Sequence, residues 1–245
     1  MEAWGTPEGV HLAQRALKAD PDNPDALGLM ASIATEVQEA KVLLDRAVAS
    51  AEARLGQNFK KKYAGIFWVD VDTRPYMRVL LMQAELEEVA GSRKAAIAIF
   101  EEMLRLNPND NQGVRYRVIG LLLAERMLPK TRKLLEAYPN EDSAWFMWAS
   151  VLYYFVMKDR TTATRLLKKA QKLNPFVADY LGGVKELPES LPDSYCFGDE
   201  DEAICAANDL IEGWWRRQNA MLWLRAQMHG DAGLIRHIAR MIDGR

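Results

Sequence analysis

Three times along the chain a helix-forming stretch runs into the same stop. Ala16-Leu17-Lys18-Ala19-Asp20-Pro21, Met103-Leu104-Arg105-Leu106-Asn107-Pro108 and Ala170-Gln171-Lys172-Leu173-Asn174-Pro175 each carry a small or flexible residue five positions before a proline. In each, Asp or Asn immediately precedes that proline. Proline has no N–H to donate and drives the preceding residue out of the helical region, so a helix must end at each site. Pro108 and Pro175 stand 67 residues apart, one short of two periods of about 34 residues. A period of that length restricts the fold severely. Each unit is a helical pair that cannot bury its apolar face alone, and neighbouring pairs must stack to make a core.

The register within the period resembles that of the tetratricopeptide repeat (TPR), two antiparallel helices with small residues at their crossings and large ones in the gaps. Ala84, Ala96, Phe100 and Met103 before Pro108, and Tyr154, Ala163, Leu167 and Ala170 before Pro175, occupy those positions, with Met in place of a small residue once. A weaker copy, Asn111 to Ser143, places Val114, Val118, Leu121, Leu134 and Ala137 at equivalent points and Pro129 in its turn. The predicted fold is all-α: an α-solenoid of about three TPR-like helical hairpins with an irregular helical C-terminal cap.

Residues 1–55 read as degenerate N-terminal helical repeats. Thr6-Pro7 and Asn23-Pro24 each pair a capping side chain with a proline in the first helical turn. Helices are expected over Glu8–Ala19, Ala26–Ala34 and Glu39–Leu55. The first resembles the second half of a repeat, so a longer natural chain or another protein is expected to cover it. Residues 56–75 form an inserted loop, with Ile66-Phe67-Trp68-Val69 a loop or short extended piece and Asp72-Thr73-Arg74-Pro75 a cap for the next helix. Residues 76–177 hold the TPR-like repeats and 178–245 the C-terminal capping helices. There Phe176–Pro192 reads as a packed irregular segment, and Asp199 with Glu202 has the spacing of a capping box at a helix start. Ile204, Ala207, Ile211, Trp214 and Trp215 share one face of that helix. Asn219–Met228 and Asp231–Met241 complete the chain.

Charge and composition exclude several functions. The formal net charge is −2 and the one lysine run, Lys60–Lys62, is too short for a basic stripe, so no nucleic-acid partner is expected. Two cysteines, Cys196 and Cys205, make no disulfide framework. The most apolar stretch, Ala144–Met157, is shorter than the roughly 20 residues a membrane span requires. With no charged start followed by an apolar run at the N-terminus, the expected location is cytoplasmic and away from membranes. His11, His229 and His237 are scattered, and no metal-ligand, nucleophile or phosphate-loop motif is present. No catalytic residue, metal or cofactor is expected, and Asp199–Glu202 is read as an acidic first turn rather than a cation site.

TPR arrays bind ligands along the concave face made by the first helices of successive repeats. Here that face would show Arg78, Leu81, Met82, Glu85 and Val89, then Gln112, Arg115, Tyr116, Ile119 and Leu122. The third repeat would add Trp145, Trp148, Ala149, Leu152 and Val156. The candidate partner-binding residues are Arg74, Arg78 and Glu85 in the first of these repeats, Arg115 and Tyr116 in the second, and Trp145, Trp148 and Leu152 in the third. The arginines either meet a partner's carboxylate or pair internally with Glu85 or Asp110. Lysine and asparagine are missing from these positions, so the carboxylate clamp of chaperone-binding TPRs is not expected.

Several motifs are more specific than a generic repeat. Thr73-Arg74-Pro75-Tyr76-Met77-Arg78, Leu106-Asn107-Pro108-Asn109-Asp110-Asn111-Gln112-Gly113-Val114-Arg115-Tyr116 and Asn174-Pro175-Phe176-Val177 are among them. Tyr180-Leu181, Gly198-Asp199-Glu200-Asp201-Glu202-Ala203-Ile204, and Trp214 with Leu222-Trp223-Leu224 continue the pattern. Together, over roughly residues 55 to 225, they resemble a group of bacterial TPR proteins related to the suppression-of-tumorigenicity protein number seven of animals. The resemblance implies a helical scaffold without known catalytic residues. The animal relatives' membrane segments have no counterpart in this chain.

The expected function is therefore a scaffold for a protein or peptide partner. The alternative is a structural homo-oligomer whose groove is filled by its own C-terminal helices. Ala144–Met157 bears on the choice because it is apolar all round. Met147, Val151 and Tyr154 face the repeat core; Trp145, Trp148, Leu152, Phe155 and Val156 face the other way and need a cover. The chain's own Ile204–Trp215 helix, a second copy or a partner would each serve, and the first is expected.

Overall fold

A computed structural model describes residues 6–230, and they form two compact units, one ending at Arg115 and the other starting at Tyr116. Every regular element among the described residues is helical, so the chain is all-α. The expected helix Asp231–Met241, His237 and the side chain of His229 lie outside the described residues.

The first unit contains α1 (Pro7–Ala19), α2 (Pro24–Ser32), α3 (Val37–Leu55), α4 (Phe59–Lys62), α5 (Arg74–Val89) and α6 (Arg93–Leu106). Helix starts follow their sequence signals. The Thr6 hydroxyl accepts from Gly9 N at 3.1 Å and the Asn23 carboxamide from Ala26 N at 3.0 Å, with Pro7 and Pro24 opening the helices. The ends follow theirs as well: Asp20, Asn107 and Asn174 each leave the helix one residue before proline. Their own N–H groups close on Ala16, Met103 and Ala170. The residue five before each proline therefore supplies the last carbonyl the helix uses. In the α5–α6 hairpin, Ala84, Ala96 and Phe100 are fully buried and Met103 nearly so.

Of the two forms expected for the insert, Ile66–Val69 is not the extended piece but the loop, closed by turns in which Val69 N and Asp70 N both donate to the Ile66 carbonyl. Phe67 is fully buried among Phe59, Tyr63 and Tyr76, with ring centroids 6.1 Å apart in each case, while Ile66 and Val69 remain exposed. Nor does Thr73 cap α5. Its hydroxyl donates to the carbonyls of Phe67 and Asp70 and ties the insert to the helix start instead.

The second unit begins within α7 (Val114–Ala124) and adds α8 (Leu128–Ala137), α9 (Ala144–Val156), α10 (Arg160–Leu173), α11 (Val177–Leu181), α12 (Glu200–Trp215) and α13 (Gln218–His229). Helices α9 and α10 pair as a hairpin with Ala163, Leu167 and Ala170 buried at the crossing. Ten of the thirteen residues of α9 are buried, which fits its all-round apolar sequence. No helix among the described residues is long and apolar enough to cross a membrane.

Candidate functional site

Helix α12 packs on α9, and its rings interlock with those of the helix beneath. Trp214 meets Trp148 edge-on at 6.2 Å, and Trp223 of α13 meets Phe155 at 4.9 Å. Both Trp148 and Trp214 are fully buried, each contributing about 1.5–3 kcal/mol by burial. The cover expected for α9 is thus the chain's own helix, and the buried face overlaps the expected one only in Ala207 and Trp214. Ala203, Ala206, Ala207, Leu210, Gly213 and Trp214 are buried, whereas Ile204 and Ile211 are half-buried and Trp215 is 54% exposed. The reason is close approach. A Cβ on Gly120 of α7 would stand 2.0 Å from the Asp209 carbonyl oxygen, and one on Gly213 3.1 Å from Leu123 Cβ. Only a stripe of small residues lets backbones come this near.

Polar groups fix the helix in place. Asp209 accepts from Arg117 Nη1 at 3.1 Å and from Trp145 Nε1 at 2.8 Å. At the other end of α7, Arg217 Nη2 donates to the Leu123 carbonyl at 2.7 Å. Burial, with Arg126 and Arg216 nearby, lowers the pKa of that guanidinium. Glu202, 2% exposed, goes further than the expected capping box. Asp199 caps Glu202 N at 2.7 Å as predicted, but the Glu202 carboxylate accepts from Ala144 N at 2.9 Å, the first N–H of α9. Its second oxygen accepts from Asn174 Nδ2 at 3.0 Å and Gly198 N at 2.7 Å. One carboxylate thus satisfies the start of α9, the end of α10 and the loop before α12.

The predicted partner-binding residues divide accordingly. Trp145 is 3% exposed, Trp148 and Leu152 not at all, and all three are covered by the chain itself. Tyr116 stacks on Trp145 at 4.8 Å and donates to Glu141 at 3.3 Å. Arg115 pairs with the buried Asp110 at 3.0 Å, one of the two internal partners foreseen. Asp110 also accepts from Val114 N and Arg115 N, both at 2.9 Å, and burial raises its pKa against the pull of Arg115. Arg78 pairs with neither foreseen acid but forms a two-pronged bridge to Asp25, 2.8 and 2.6 Å, joining α5 to α2. Arg74 donates to the Trp68 carbonyl at 2.9 Å, and Glu85 is exposed on α5.

Sequence reading missed Arg117, Asp209 and the cross-helix role of Glu202. A signal was available: Glu202 and Asp209 are seven residues apart, so both fall on the helix face that carries Ala203, Ala206 and Leu210. Acids inside an apolar stripe require partners.

On the other side of α9 a cleft of about 690 Å³ opens between α8 and α10. Its floor includes Phe146, Met147, Ser150 and Tyr153, and its rim carries Arg132 from α8 and Arg165 and Lys169 from α10. Arg132 pairs with Glu136 at 2.8 Å and Lys169 with Asp142 at 2.7 Å, all exposed. No family model matches the chain, and no curated protein matches it either.

Proposed function

We propose that the chain is a non-catalytic helical scaffold, built from TPR-like hairpins, that holds a protein or peptide partner. In the second unit the partner is held outside the α7–α9 surface, because α12 already occupies it. The seating of α12 carries this reading. The surface receives a helix through a small-residue stripe and an anchored carboxylate, as a groove receives a helical ligand, and here the ligand is part of the chain. Trp145, singled out from sequence as a groove residue, is spent on Asp209 together with Arg117, so it serves an internal contact. The resemblance to the bacterial TPR group points the same way, and the two free cysteines accord with a reducing, cytoplasmic setting.

Native purification of the tagged chain, with mass spectrometry and light scattering, tests the proposal. A foreign polypeptide at fixed stoichiometry is expected. The occupied groove also favours a second reading, a structural homo-oligomer associating through its outer surface, and a pure multimer would establish that instead. A monomer with no companion would refute both.

A further inference from the structure

Between α11 and α12, residues 186–194 take no part in holding the fold. None of them makes a hydrogen bond, ion pair or ring contact with a described residue. All but Leu187 and Pro192 are exposed. Their sequence is a tandem repeat, Leu187-Pro188-Glu189-Ser190 followed by Leu191-Pro192-Asp193-Ser194. Each proline fixes its own φ and keeps the residue before it out of the helical region. The stretch therefore stays irregular, with its N–H and C=O groups open to water.

The two ends of this loop are fixed, and they lie beside one another. Before it, Val184 N and Lys185 N donate to the Asp179 carbonyl at 2.8 and 3.1 Å, and Lys185 Nζ pairs with Glu200 of α12 at 2.6 Å. After it, the Tyr195 ring meets Trp145 at 5.3 Å and Cys196 N donates to the Asp199 carboxylate at 2.7 Å. Lys185 thus holds the start of the same helix into which the loop runs. Residues 186–194 make an Ω-shaped excursion, and a break within it removes no contact from either flank.

We propose that this loop is a cleavage site for an acid-directed endoprotease, cut between Glu189 and Ser190, and that the cut chain keeps α12 and α13 in place. Hydrolysis breaks the C–N bond between those residues and consumes one water. It leaves a carboxylate on Glu189 and an ammonium on Ser190. An endoprotease takes residues on both sides of the bond as exposed chain, through free N–H and C=O groups. Glu189 has unbonded chain on both sides, 186–188 and 190–194, whereas Glu186 adjoins the pinned Lys185. The sequence also selects the enzyme. No Lys or Arg lies within the loop, and both leucines precede proline, whose nitrogen gives the bond no N–H. The acids remain. The other described glutamates outside helices, Glu36, Glu125 and Glu141, each have a backbone group in a hydrogen bond. Retention follows from where the contacts lie. Glu202, Asp209, Trp214, Arg217 and Trp223 hold α12 and α13 without help from the loop. While the chain is whole, a short tether keeps α12 at a millimolar effective concentration; after the cut its contacts alone hold it.

The full chain is digested under native conditions with a glutamate-specific endoprotease and, at matched dose, with trypsin and with chymotrypsin. Intact mass is expected to show residues 1–189 and 190–245 as the first products of the glutamate-specific enzyme. At about 1 μM the two pieces should elute together at the size of the uncut chain, with unchanged helical content. Glu186→Gln combined with Glu189→Gln should slow that enzyme's first cut at least about tenfold, because the next site waits on local opening of the fold. The variant's melting point should equal the wild type's. The site is overturned if the first cut falls anywhere but after Glu189, if trypsin or chymotrypsin opens residues 186–194 as readily, or if the double variant is cut as fast as wild type. Two pieces that elute apart would overturn the retention of α12 and α13.

Discussion

Replacing Gly120 by alanine isolates the contact on which the second unit depends. The new methyl would stand 2.0 Å from the Asp209 carbonyl oxygen and 2.9 Å from its carbon. Both are backbone atoms of a helix, so no rotamer change relieves the clash. To bring the closest distance to even 3.0 Å, α12 must withdraw by about 1 Å, loosening Gly213 from Leu123 and stretching the 2.8 Å bond from Trp145 to Asp209. Overpacking of this kind costs about 1–3 kcal/mol, occasionally more. Against it stands a gain of about 1 kcal/mol, because alanine is the better helix former. With a backbone-to-backbone clash the upper part of the range applies, leaving a net loss of about 1–2 kcal/mol and a fall in Tm of about 2–8 °C. Urea unfolding followed by circular dichroism and tryptophan emission measures it. Gly28 provides the comparison. Its Cβ would meet the Met82 sulfur at 3.0 Å, the far part of a flexible side chain that can turn aside, so G28A should be close to neutral. If G120A is as stable as wild type or more so, the close crossing of α7 and α12 is wrong.

Three further outcomes follow from the same contacts. Glu202→Ala removes the acceptor of three N–H groups, each costing about 1–3 kcal/mol when left buried and unmet. A loss of at least about 3 kcal/mol in chemical unfolding is expected, and a loss under 1 kcal/mol contradicts the buried hub. Truncation after Pro192 strips α12 and α13 and bares Trp148, Leu152 and Phe155. Light scattering should then show aggregation, and a truncated chain that stays monomeric and equally stable defeats the cover assigned to α9. Glu102 is held below the ordinary carboxylate range mainly by its hydrogen bond from Arg105, with Lys60 adding to it. Its contribution is therefore present above its unfolded value near 4.5 and lost as pH falls through the lower folded value. Solvent screening keeps it below about 1 kcal/mol. Glu102→Gln should narrow the stability difference from wild type as pH drops from 7 to 3.5, and a constant difference refutes the assignment.

Helix ends were the most legible part of the sequence, because proline acts on its own neighbours and no distant contact overrides it. The need for a cover on α9 was legible for a similar reason: an apolar surface on every side cannot face water. Which face of α12 supplied the cover was legible only in part. The expected stripe of Ile204, Ala207, Ile211, Trp214 and Trp215 placed Ala207 and Trp214 correctly, but the short distance between α7 and α12 buries Ala203, Ala206, Leu210 and Gly213 in place of Ile204, Ile211 and Trp215. That distance is set by Gly120, eighty residues and more before the helix it admits. The insert was obscure because Phe59, Phe67 and Tyr76 follow no helical or strand period, and only the closed turn brings them together. Among candidate site residues, Arg115 pairs with Asp110, one of two internal acids foreseen beside a partner's carboxylate. The partner of Arg78 was not foreseen, since Asp25 lies 53 positions away with no pattern linking the two.

The seating of α12 also sets a clock on synthesis. Trp214 follows Trp148 by 66 residues, and translation adds about 5–20 residues per second. For about 3–13 s, then, each nascent chain holds a finished α9 whose aromatic flank has no cover. Helices form in about a microsecond or less, so that interval is governed by the ribosome and not by the fold. The hazard of misassociation is concentrated in it, and slow codons between the two tryptophans would lengthen the exposure without altering a single contact in the finished protein.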